Sequence, residues 1–375
     1  MANSFKTLRH YLIMVPVFIQ ACTSSSEKYY SEADFQKVDK ADVHVHIFTQ
    51  KNDFMDEAMK DNFKVVNIAL DFSNDMDSVR RQFRFCMLQQ KNNPSTVEIA
   101  SAFSMEGWDE PDWLEKNMAW LDSSINNGAI TVKIWKNIGM VYRDKENKLI
   151  MIDNPRFDPI FKMLAEKKVT VIGHLGEPKN CWLPLEEMTT NNDRNYFRDH
   201  PQYHMFQHPD LPSYDDQIKA RDNMLAKNPD LTFVGAHLGS LEWSIDALAK
   251  TLDRFPNMAV DMAARMGQVF YQTHSDREKV REFFIKYQDR LLYATDMSDE
   301  GQEKEALQKE MRDTWLRDWR FFVTGDTLTC DLVNESYQGI KLPQHVVDKI
   351  YYQNAKKWFH AFEDDNKPTG VTSSQ

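Results

Sequence analysis

Eight short apolar runs, separated for the most part by amphipathic stretches, restrict what this chain can fold into. They cover residues 41–48, 64–71, 97–104, 130–135, 169–174, 231–237, 258–263 and 291–296. Between them, residues 76–90, 111–125, 155–168, 214–227, 241–254 and 276–287 place apolar side chains at helical spacing. A short apolar run followed by a helix, repeated along the chain, is the pattern of parallel strands covered by crossover helices on their outer face. The expected fold class is therefore α/β, a (β/α)8 barrel of the TIM type with long loops after strands 5 and 8.

Two intervals, 175–213 and 297–341, are longer than a bare barrel needs. Both are rich in aromatic residues, with Trp182, Tyr196, Phe197, Tyr203 and Phe206 in the first and Trp315, Trp319, Phe321 and Phe322 in the second. Long loops in compact domains are usually lids or disordered, and the aromatic content argues for ordered lids. His200, His204 and His208 recur at four-residue spacing in the first, which on a helix would align them for a second metal site. Pro201 and Pro209 interrupt that backbone, so packing and hydrogen bonding within the lid, or contact with substrate, are the other readings.

The 375 residues suit one large barrel, and a net charge of -11 without a basic cluster argues against nucleic acid as a partner. A small-molecule substrate is expected instead.

Four of the apolar runs end on residues that bind divalent metals. Asp42-Val43-His44-Val45-His46 opens the series; Ile172-Gly173-His174, Gly235-Ala236-His237 and Ala294-Thr295-Asp296 follow. Side chains two apart on a strand share a face, so His44 and His46 are expected to point together, with Asp42 on the same face below them. The other three sit where strands give way to loops, which in a barrel is the catalytic face. Neutral imidazoles with one carboxylate suit zinc or a similar ion, and an open ligand position lowers the pKa of bound water to about 7 in favourable cases.

In this order the motifs resemble the amidohydrolase superfamily, and more narrowly its amidohydrolase 2 branch of metal-dependent hydrolases, lactonases and non-oxidative decarboxylases. The resemblance extends to the closing stretch Leu342-Pro343 to Lys349-Ile350-Tyr351-Tyr352-Gln353-Asn354-Ala355. It implies one divalent ion, zinc or else manganese or another metal, held by His44, His46, His174 and Asp296. Asp296 would double as general base, and His237 would hydrogen-bond the water or polarise the substrate carbonyl. The reaction implied is hydrolysis of an ester, lactone or amide-type bond in a small anionic substrate. A decarboxylase or lyase using the same ligands is the alternative, and an exported binding lipoprotein without turnover a more distant one.

Lys133, on the fourth run, is open to two readings: a carboxylated lysine bridging two metals, or an ammonium that holds an anionic substrate group or pairs with Asp296 or Glu177; Lys136 is its rival. Glu177 could reach the barrel mouth after His174, and Arg265 could clamp a substrate carboxylate from beyond the seventh run. Structural salt bridges at the rim are the other reading of both.

At the N-terminus, Lys6 and Arg9 precede an apolar stretch, 11–21, too short to span a bilayer but suited to a signal-peptide core. Ile19-Gln20-Ala21-Cys22 resembles a bacterial lipobox, which implies lipidation at Cys22 and an exported protein on the periplasmic or cell-surface side of a membrane, held by lipid alone. An ordinary cleaved signal with an incidental cysteine is the other reading. The expected organisation is a signal peptide over 1–22, a polar tether over 23–36, the barrel over 37–365 and a disordered tail over 366–375. Cys86, Cys181 and Cys330 are odd in number and widely spaced, which fits a disulfide framework poorly, and read as structural thiols.

Overall fold

A computed structural model describes residues 27–362; Cys22, the signal peptide and the 366–375 tail lie outside the described residues. Strands form at all eight expected places: β1 (Lys40–Ile47), β2 (Phe63–Ile68), β3 (Val97–Ala102), β4 (Ala129–Ile134), β5 (Thr170–Gly173), β6 (Phe233–Gly235), β7 (Met258–Asp261) and, in two pieces, β8 (Leu291–Leu292) and β9 (Met297–Asp299). They make one parallel sheet in which β8 pairs with β7 and β9 with β1. Between the two pieces, Val43 N donates to Tyr293 O at 3.2 Å and Asp296 N to His44 O at 2.9 Å. The pieces therefore occupy a single eighth position and close the barrel. Asp296 causes the break, since its φ of 69° leaves the extended region.

Inside the barrel Ala41, Val43, Val66, Ala100, Ile172 and Leu292 form a tight core. Its lower end is closed by the C-terminal segment, which contributes Trp358, Phe359 and Phe362. Asn354 Nδ2 ties that segment to Leu291 O at 2.7 Å. On the outer face Val45, Ile47, Val65, Ile99, Val132 and Val171 pack against the helices.

β1 changes phase along its length. Ala41 and Val43 belong to the inner core, whereas Val45 and Ile47 belong to the outer one. The register with β2 slips between Asp42 and Val45, an irregularity that re-aims side chains, and Asn67 bridges it through both amide atoms to Ile47. The expectation that Asp42 shares the face of His44 and His46 is corrected: Asp42 turns to the seam with the eighth strand. There it accepts from Thr295 N at 3.0 Å, Thr295 Oγ1 at 2.6 Å and Trp315 Nε1 at 3.3 Å.

All six expected helices form, at Met76–Asn92, Trp113–Asn126, Asp158–Glu166, Tyr214–Lys227, Ile245–Arg254 and Arg277–Lys286. Asp53–Lys60, Asn191–Asp199, Met266–Ser275 and Lys304–Val323 are additional. The interval after the eighth strand is thus only partly loop: it is built around the 20-residue Lys304–Val323 helix, whose Trp315 stacks on Phe63 at 4.1 Å. The interval after β5 carries the Asn191–Asp199 helix and short turns around a small core of Cys181, Met188, Phe197 and Met205, to which Met140 from beyond β4 contributes. Residues 28–36, expected to be tether, join the folded body: Phe35 is buried, Tyr30 OH donates to Asp348 at 2.7 Å, and Lys28 O accepts from Gln344 N.

Candidate metal centre

His44 and His46, from β1, meet Asp296, from the break in the eighth strand, at the C-terminal mouth of the barrel. One donor atom from each lies within 4.8 Å of the others. His44 Nε2 and His46 Nε2 stand 3.3 and 3.2 Å from Asp296 Oδ1. The opposite ring nitrogens are already engaged: His46 Nδ1 donates to Ile68 O at 2.8 Å and His44 Nδ1 to Asp261 Oδ2 at 3.0 Å. A carbonyl oxygen can only accept, so the His46 proton is on Nδ1 and its Nε2 lone pair faces the carboxylate. Electron pairs converge there with no proton of their own between them. Lys133 Nζ, 2.9 Å from His44 Nε2, supplies a positive charge at that point. Lys133 meets part of that demand for positive charge, and the donor set fits a divalent ion.

Electrostatics agree. Burial and the nearby Lys133 ammonium lower the His44 pKa, keeping the imidazole neutral. Burial alone would raise the Asp296 carboxyl, but His44, His237 and the hydrogen bond to His46 outweigh it and hold the group well below the usual carboxylate range. Burial drops Lys133 to about 8 despite the opposing pull of Asp261 and Asp296.

His237 and His174 form a second pair. His237 lies in the Ala236–Gly239 turn with φ 60°, followed by Leu238 at 57°, an uncommon left-handed run that needs outside support. Asp261 Oδ1 supplies it by accepting from His237 N at 2.8 Å, and His237 Nδ1 donates to Ala263 O at 2.8 Å. His237 Nε2 must then accept from His174 Nδ1, 3.1 Å away. This fixes His174 as well, leaving a lone pair on Nε2, which is buried without a hydrogen-bond partner and 3.5 Å from Glu177 Oε2. His174 is thus placed beside the His44, His46 and Asp296 cluster, not inside it, with a free acceptor atom.

Asp261, which the sequence reading passed over, organises both pairs. It holds His44 Nδ1, His237 N and Ala263 N. Burial opposes its charge, but His44 and His237 keep it ionised, below the usual value. The available signal was a carboxylate inside an otherwise apolar strand.

Of the other candidates, Lys133 bonds His44, while Lys136 takes the pairing with Glu177. Lys136 is further held by Tyr196 OH at 3.3 Å and lies over the Tyr203 ring at 4.5 Å, which fastens the 175–213 interval to the barrel. Arg265 is buried and makes no ion pair among the described residues; Nη1 donates to Ala264 O and Nε has no partner. Burial opposes its charge, but Asp193, Glu242, Glu177 and Asp296 raise its pKa further. His200, His204 and His208 do not converge: His204 bonds Leu183 O, His208 bonds Pro201 O, and His200 packs on Tyr196. Packing within the lid is the arrangement seen.

A family model described as Amidohydrolase matches residues 111–361. No curated protein matches the chain in sequence. Among solved structures, 2,6-dihydroxybenzoate decarboxylase from Rhizobium is 12% identical with a TM-score of 0.51, covering 86% of this chain and 99% of its own. A TIM-barrel protein from Bordetella bronchiseptica is 14% identical over 86% of this chain and 99% of its own, with a TM-score of 0.49. 4-Oxalomesaconate hydratase from Rhodopseudomonas palustris is 11% identical over 86% and 95%, with a TM-score of 0.47. At 12% identity, the likeness to the decarboxylase is one of fold.

Proposed function

The chain belongs to the amidohydrolase family, and on that premise we propose that it is a metal-dependent hydrolase cleaving an ester, lactone or amide-type bond in a small anionic substrate. The observation that carries this reading is the convergence of His44 Nε2, His46 Nε2 and Asp296 Oδ1, with both rings locked from behind. These three residues would hold one divalent ion, zinc or else manganese, and His174 offers its unpartnered Nε2 as a further ligand. Bound there, such an ion supplies Lewis acidity towards a carbonyl and lowers the pKa of water.

The rest falls to the chain's own residues. Asp296, ionised throughout the neutral range, takes the proton of the attacking water and returns it to the leaving group. His237 keeps His174 in one tautomer and orientation, a supporting role in place of direct contact with substrate. Arg265 presents an unpartnered Nε, and with Lys133 it offers positive charge to an anionic substrate group.

The same two buried cations favour one other reading, non-oxidative decarboxylation, in which they would seat the departing carboxylate. A solved decarboxylase of similar fold is in keeping with it. For location, we propose an exported lipoprotein anchored through Cys22.

Metal removal tests the core of the proposal. Chelator-treated enzyme should lose turnover and regain it with added zinc or manganese, and Asp296→Asn should keep most of its metal while losing at least about a hundredfold in rate. Near-normal turnover in Asp296→Asn would remove its role as base. Product analysis separates the two reactions: carbon dioxide release would replace hydrolysis by decarboxylation.

A further inference from the structure

Asp296 lines an open cavity of about 430 Å³ together with Asn192, Ala264, Met266 and residues of the Lys304–Val323 helix. This cavity shares Glu310, Thr314, Arg317 and Leu332 with a second one of about 930 Å³, which lies between that helix and residues 328–337. The two cavities therefore adjoin along these four residues, and the inner one reaches the candidate metal centre at Asp296. A substrate ending at the bond to be cleaved would fill only the inner part, since pockets of about 300–1,000 Å³ already enclose whole drug-sized ligands.

Arg317 stands at the junction. Its Nε donates to Asp318 Oδ1 at 2.9 Å, and Asp318 is fixed in turn by Tyr293 OH at 2.9 Å. Its guanidinium lies 5.8 Å from the centre of the Phe270 ring. Its two Nη atoms make no hydrogen bond among the described residues, and the side chain keeps 23% of its surface exposed. An arginine held by one edge and one face presents its remaining donors in fixed geometry, as recognition of an oxyanion requires. Like Arg317, the other cations of the groove are ion-paired, Lys309 with Asp313 at 2.5 Å and Arg320 with Glu32 at 3.2 Å; what Arg317 offers beyond its pair with Asp318 is the two free Nη atoms. Glu310, two turns before Arg317, lines the same junction and makes no ion pair among the described residues, so an anion held there must sit on the Arg317 side. Inside, Asn192 Oδ1 is buried and unpartnered, an acceptor for a donor on the middle of a ligand.

We infer that the substrate is elongated and bears a second anionic group, a carboxylate or phosphate remote from the reacting bond, which Arg317 recognises at the junction of the two cavities. The inference rests on the metal-centre reading and adds the substrate class to it. Arg317 is a specificity residue that leaves the chemistry to the groups around Asp296.

The test is binding to the full chain loaded with zinc, by calorimetric titration with α,ω-dicarboxylates of increasing length, the matched monocarboxylates, and ω-phosphonocarboxylates to tell the two oxyanions apart. Affinity should pass through a maximum at one chain length, at least about tenfold above the matched monocarboxylate, the scale of one charge-assisted hydrogen bond. Arg317→Met should remove that gain while leaving zinc content and monocarboxylate affinity unchanged. Because Arg317→Met deprives Asp318 of its cation, Arg317→Lys is the second variant; it keeps the charge, loses the fork, and should retain only part of the gain. No length dependence in the unmodified chain, or a full gain in both variants, would overturn the inference while the metal centre stands. A chain that takes up no zinc would overturn the metal-centre reading and the inference with it.

Discussion

Burial raises some carboxylates in this protein while others are held below the usual range, and their partners decide which. Asp296 and Asp261 face histidines and stay ionised. Glu242 accepts Lys179 N at 2.8 Å, its Oε2 has no partner among the described residues, and burial pushes it up to about 7, with Arg265 pulling the other way. The folded protein thus keeps a proton that the unfolded chain releases around the usual value of 4.5. That contribution to stability is complete in acid and is lost as pH rises through about 7. Glu242→Gln, always neutral, should therefore melt higher than the unmodified protein at alkaline pH and nearly level with it in acid; a constant difference across the pH range would contradict the assignment. At this scale His44, His46 and Asp296 were legible because each lies in or directly after an apolar strand and carries ligand chemistry of its own. Asp261 was not, because its importance lies in a contact with His44, 217 positions away in the chain. Asp42 was assigned the wrong face because a slip in strand register reverses alternation without marking the sequence.

Strands were the readable elements, since a strand covered on both faces must be an almost unbroken apolar run. The division of the eighth into β8 and β9 was not readable, because it depends on the positive φ of Asp296. The Lys304–Val323 helix was readable in principle: Met311, Trp315, Asp318, Trp319 and Phe322 are buried and recur at helical spacing. Its start has no side-chain cap, and its aromatic density resembled that of an ordered lid. Trp315 joins the helix to the site, stacking on Phe63 and donating to Asp42, which holds Thr295 next to Asp296. Trp315→Ala should cost about 3–5 kcal/mol of stability in denaturant unfolding, the usual range for a buried tryptophan. A cost near zero would mean that the helix is dispensable to the barrel.

At the scale of the molecule, the described chain enters and leaves at the same end. Lys28 and Tyr30 are fastened to Gln344 and Asp348, β1 begins below the inner core, and Trp358 and Phe362 close that core from beneath. Lipid attachment, if it occurs at Cys22, acts outside this body. Cys22→Ser should move the protein from the membrane fraction to the soluble fraction, or leave an uncut precursor, with zinc binding unchanged. Equal membrane recovery of variant and unmodified protein would count against the lipobox. The plugged end also gives the molecule a direction. The described chain starts at the base, and the rim with His44, His46 and Asp296 lies at the opposite end of the barrel. An anchor at Cys22, as proposed, would join the body at its closed end, and substrate would enter from the far side without crossing the anchored face.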